Sequence, residues 1–87
     1  MTDAVVKYLI INRNPEPLTV IVEPWAEEVV LSPDSRLLLT VLSDREGLLE
    51  VVTDPNFLIV WLWGGCRVKL ALNGKDLTMP SLLIPSP

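Results

Sequence analysis

The chain has 87 residues, 49% of them hydrophobic, and a formal net charge of −4 from 11 acidic and 7 basic side chains, with one cysteine and no histidine. That length makes residues 1–87 a single domain near the small end of what folds unaided, and a lone Cys66 excludes an internal disulfide framework. With no basic run there is no electrostatic footprint for nucleic acid or an anionic membrane, and without histidine the chain has no Ser-His-Asp or Cys-His nucleophile, histidine zinc site or imidazole proton shuttle.

Residues 4–12 are rich in β-branched side chains and alternate weakly, Val5, Lys7, Leu9 and Ile11 against Ala4, Val6, Tyr8 and Ile10, which predicts a first strand. Pro15 and Pro17 cannot donate to a ladder, and the asparagines beside them favour a turn. A second strand over 18–23 sets Leu18, Val20 and Val22 on one face and Thr19, Ile21 and Glu23 on the other. Pro24 stops it, as at a sheet edge or a crossing between sheets. Residues 26–31 resume as a third strand, and Ser32-Pro33-Asp34-Ser35 has type I turn composition.

The fourth strand, 36–43, is nearly apolar on both faces, with Leu37, Leu39 and Val41 on one and Leu38 and Leu42 with Thr40 on the other, as in a central strand. Residues 44–47 form a hairpin loop with Gly47 where a left-handed residue is wanted, followed by a fifth strand over 48–53. The longest apolar run, 57–63, is cut to strand length by Pro55-Asn56 and Gly64-Gly65. Phe57, Ile59, Trp61 and Trp63 take one face of it and Leu58, Val60 and Leu62 the other. Both faces need cover, so this too reads as a central strand.

Residues 66–72 alternate most cleanly, with Cys66, Val68, Leu70 and Leu72 inward and Arg67, Lys69 and Ala71 outward. Asn73-Gly74 is a strong type I′ hairpin signal and returns 75–79 as a short edge strand. The tail, 80–87, holds three prolines around Leu82-Leu83-Ile84 and is either an edge segment packed on the body or an arm reaching a neighbouring subunit. No stretch keeps a 3.6-residue apolar period, so little or no helix is expected. The expected fold is all-β: a small antiparallel β-sandwich or half jelly roll of seven to eight short strands, with a cupin-like topology left open.

The chemistry is sparse. Arg67 and Lys69 lie near Cys66, but its inward position makes it a small core hydrophobe rather than a nucleophile. Glu27 and Glu28 are adjacent and face opposite ways, so they cannot share a proton. Glu23 and Glu50 lie on strands able to pair, while Asp44, Glu46 and Asp54 sit in turns with too few ligands for a calcium loop. Gly64-Gly65 precedes no helix and is a bulge or turn, not a phosphate loop. No catalytic residue, metal or cofactor is expected, and the chain does not read as an enzyme.

Surplus apolar surface points to an interface. The expectation is a structural or interaction protein that forms a homo-oligomer, a dimer first, through the face carrying Leu58, Val60 and Leu62 or through Leu38 and Leu42. The alternative is a groove in which Trp25, Trp61 and Trp63 stack a sugar or other small molecule. The simpler reading sends the indoles to the core and the interface, because no cluster of amides and carboxylates accompanies them. The acidic start does not resemble a signal peptide, and the seven-residue apolar run is far below the ~18 that span a bilayer. A cytoplasmic protein, with neither membrane nor nucleic-acid partners, is expected.

Leu18-Thr19-Val20-Ile21-Val22-Glu23-Pro24-Trp25, followed by an acidic strand, a Pro-Asp turn and later Val60-Trp61-Leu62-Trp63, resembles a group of small uncharacterised bacterial proteins with an early "EPW" segment and a late tryptophan-bearing strand. The resemblance implies a compact β domain in which Glu23, Pro24 and Trp25 form a structural corner. It implies no activity.

Overall fold

The computed structural model describes residues 4–87, and the acidic start read at residues 1–3 lies outside them. Wherever the sequence alternates, it pairs. The strands are β1 (Ala4–Ile11), β2 (Leu18–Glu23), β3 (Glu27–Leu31), β4 (Arg36–Ser43), β5 (Glu50–Thr53), β6 (Phe57–Trp61), β7 (Arg67–Leu72) and β8 (Lys75–Leu77), followed by a 3-10 turn, η1 (Pro80–Leu83). They form two four-stranded sheets: sheet I in the order β1-β4-β7-β8 and sheet II in the order β3-β2-β6-β5. The two runs apolar on both faces, β4 and β6, are interior strands of their sheets, as their composition demands.

Between the sheets, Leu37, Leu39 and Val41 of β4 and Val68 and Leu70 of β7 meet Val20 and Val22 of β2, Val29 and Leu31 of β3 and Val60 of β6. All pairings are antiparallel except β2 with β6, which run parallel from Thr19↔Phe57 to Glu23↔Trp61. Sheet II is therefore mixed. Alternation is the same in parallel and antiparallel ladders, so the pattern alone does not distinguish them.

The ends of the sandwich are tied by polar groups. Asn12 is buried, and its Nδ2 donates to the carbonyls of Glu16 at 2.9 Å and Leu31 at 3.0 Å, while its backbone N–H donates to Ser35 O at 3.0 Å. Its Oδ1 accepts from the Asn14 N–H at 3.0 Å, so one side chain joins the 12–17 turn to the 32–35 turn. The Asn73-Gly74 hairpin has φ of 50° and 83°, as a type I′ turn requires.

Two loop expectations change, and the alternative left open for the tail is decided in favour of packing on the body. The 44–47 segment is not a hairpin loop, because β4 belongs to sheet I and β5 to sheet II; the chain crosses between the sheets there. Gly47 is not left-handed either. It is needed for space, since a Cβ on it would fall inside the indole of Trp63. Lastly, residues 80–87 pack on the protein's own body. Leu82 is buried, and Ser86 Oγ donates to Trp63 O at 2.7 Å and accepts from the Cys66 N–H at 3.1 Å. The Ser86 N–H donates to Cys66 O at 3.0 Å and the Gly65 N–H to Ser86 O at 2.9 Å, so the tail closes one end of the sandwich.

Candidate functional site

Side-chain parity assigns every strand residue to the core or to an outer face. On sheet II the register aligns Glu23, Trp61 and Glu50 in one row and Ile21, Ile59 and Val52, with Glu28, in the next. Thr19 and Phe57 follow with Val30 beside them. This outer face is apolar through its middle, with Val30 61%, Val52 48% and Trp61 40% exposed, and every charge on it is a carboxylate: Glu23, Glu28 and Glu50.

Sheet I presents the opposite sign. Its outer rows are Val5, Leu42 and Arg67; Lys7, Thr40 and Lys69; Leu9, Leu38, Ala71 and Asp76; and Ile11 with Arg36. Val5 and Leu9 are about half exposed, and among the described residues the strands of this face carry the cations Lys7, Arg36, Arg67 and Lys69 against the single carboxylate Asp76. The chain thus segregates charge by face although neither sign forms a run along it. The signal was present as parity: Lys7, Arg36, Arg67 and Lys69 all occupy the outward positions of their strands.

The interface expected on Leu58, Val60 and Leu62 is corrected. Val60 is fully buried, Leu62 is 7% exposed and Leu58 packs on the core, because the register joins Leu58 to Val20 and Val60 to Val22 on the inner face. In a run apolar at every position parity separates the two sets but does not say which is inside. The outward set is Phe57, Ile59 and Trp61. Leu38 and Leu42 do lie on an outer face, half-buried among the sheet I rows.

The three tryptophans do not form one groove. Trp25 packs against the core and its Nε1 donates to Ile84 O at 3.0 Å. Trp63 is held by its Nε1, which donates to Ser43 Oγ and Arg45 O, both at 3.1 Å. Trp61 alone stands on an open sheet face. Trp61 and Trp63, with Leu48, Glu50 and Leu62, line an open depression of about 350 Å³ in which Trp25 has no part.

The remaining candidates are structural. Cys66 is fully buried, and burial pushes its thiol above the ordinary 9.0 despite the hydrogen bond to Ser43, the Trp63 backbone and the Arg45 charge, all of which pull the other way. A buried neutral thiol is a poor nucleophile. Glu23 and Glu50 flank Trp61 instead of pairing, and among the described residues Glu23 Oε1 is covered yet accepts no hydrogen bond. Glu27 accepts from Ser81 Oγ at 2.6 Å, and Asp44 meets Arg45 at 3.2 Å on the exposed surface. No three of Cys, Asp and Glu form a metal-holding group among the described residues, and no helix there is long and apolar enough to cross a membrane.

The architecture and these faces define the molecule as a small two-sheet β-sandwich with oppositely charged outer surfaces. Comparison with protein-family models, with curated proteins and with solved structures finds no match to this chain.

Proposed function

We propose that the protein is a non-catalytic interaction module, working in the cytoplasm, that associates with further copies of itself through the outer faces of its sheets. The observation that carries this reading is the contiguous apolar surface on sheet II, where Ile21, Ile59, Phe57 and Val52 adjoin and Trp61 stands exposed beside them. Aromatic side chains ringed by charge are the composition of a protein interface. The face is modest: four strands ~4.8 Å apart and about six residues long cover roughly 400 Å². A standard interface buries about 800 Å² per partner. The association is accordingly weak and reversible. Light scattering over a dilution series tests it, with the mass expected to rise from 9.7 kDa towards multiples of that value as concentration increases. A constant 9.7 kDa up to millimolar protein overturns the reading.

A second reading, a small-molecule site, is favoured by one observation, the depression between Trp61 and Trp63 with Glu50 at its rim. It is the weaker of the two, because the Trp63 indole N–H is already engaged by Ser43 and Arg45 and Glu50 is the one charged side chain lining the depression.

A further inference from the structure

We infer that the copies dock head to tail: the outer face of sheet I of one molecule lies on the outer face of sheet II of the next. This rests on the self-association reading and specifies its geometry. Docking sheet I on sheet I would set the face that carries Lys7, Arg36 and Lys69 against an identical cationic face, and docking sheet II on sheet II would set Glu28 and Glu50 against an identical face of carboxylates. Like charges facing one another across an interface oppose association, while complementary faces steer it and fix its register. The mixed arrangement sets the predominantly cationic face against the face whose strand charges are Glu23, Glu28 and Glu50.

The rows match in spacing as well as sign. Lys7 and Lys69 flank Thr40 across β1, β4 and β7, and Glu23 and Glu50 flank Trp61 across β2, β6 and β5. Each pair is two strands apart, about 9.6 Å. Superposing the two rows brings both lysines over carboxylates with the Trp61 ring between them, where its face also attracts an ammonium group. The apolar row Leu9, Leu38 and Ala71 then lies over the level of Ile21, Ile59 and Val52 or of its neighbour along the sheet. Because each molecule offers one face of each kind, such a contact is heterologous: it closes into a ring if the rotation between copies allows, and otherwise grows as a linear stack.

Charge reversal tests this, using side chains that are exposed in the fold. One variant carries Lys7→Glu and Lys69→Glu, a second carries Glu28→Lys and Glu50→Lys, and a third carries all four. Masses are measured by sedimentation equilibrium at low salt, with circular dichroism confirming the fold. Each two-site variant alone faces like charge with like and should need roughly a hundredfold higher concentration to associate. An equimolar mixture of the two, and the four-site variant alone, should recover most of the association, short of wild type because the half-buried Glu23 is left in place and still faces one reversed lysine. If one two-site variant keeps the wild-type mass while the other loses it, the contact is a symmetric one between like faces and the inference falls. It also falls if wild type associates but neither mixture nor four-site variant recovers, or if no variant changes the mass; self-association then stands without this geometry. A wild-type protein that never leaves 9.7 kDa removes both readings.

Discussion

Cys66 illustrates how one residue's surroundings settle its role. It follows the Gly64-Gly65 turn and leads into β7 at a fully buried position, hydrogen-bonded on its backbone to Ser86, and burial raises the pKa of its thiol above the ordinary value of 9.0. The consequence for stability has a definite sign. Below pH 9 the thiol is protonated in both folded and unfolded chains and contributes no pH dependence. Above it the unfolded chain loses the proton first, so stability falls as pH rises from 9.0 towards the raised value in the fold. The slope from this one group reaches at most about 1.4 kcal/mol per pH unit. Urea denaturation of wild type and Cys66→Ala between pH 7 and 10.5 should therefore give curves that run parallel below pH 9 and converge above it, the wild type losing more. Parallel curves throughout would place the thiol in contact with water.

At the scale of elements, the crossing between β4 and β5 is the clearest case of a local signal with a different global meaning. Asp44-Arg45-Glu46-Gly47 has hairpin composition, but the chain uses it to leave sheet I for sheet II, and the Trp63 indole packs where a Gly47 side chain would be. Gly47→Ala should displace that ring and its hydrogen bonds to Ser43 and Arg45, costing about 1–3 kcal/mol. Thermal unfolding monitored by tryptophan fluorescence checks this, and a melting temperature equal to that of wild type would show that nothing occupies the space. Elements whose residues carry their own instruction were legible: the β7 alternation, the Asn73-Gly74 turn and the apolar β4 all lie where the sequence puts them. What was not legible depends on partners distant in sequence. The parallel pairing of β2 with β6 and the docking of Ser86 on the 63–66 turn join segments whose local patterns are indifferent to one another.

For the whole molecule, the inside of β6 decides where an interface can form, and adjacent residues give opposite tests of it. Ile59 and Val60 are neighbours of similar size and opposite parity: Ile59 lies on the outer face between Ile21 and Val52, while Val60 is fully buried between Val22 and Val51. Sequence alone identified the two sets but put the expected interface on Leu58, Val60 and Leu62, the set that faces the core. Whether Leu58 and Val60 or Phe57 and Ile59 face the core is fixed by the ladder to β2, which residues 57–63 do not encode by themselves. Val60→Ser buries a hydroxyl in place of a packed isopropyl group and should cost roughly 2–4 kcal/mol of folding stability. Ile59→Ser should leave the denaturation midpoint close to that of wild type while suppressing the concentration-dependent rise in mass. Measured side by side by urea denaturation and light scattering, the pair should separate folding from association. If Ile59→Ser unfolds the protein as readily as Val60→Ser, the outer face of sheet II contributes to the fold of the single chain. If it leaves both stability and mass unchanged, association does not use that face.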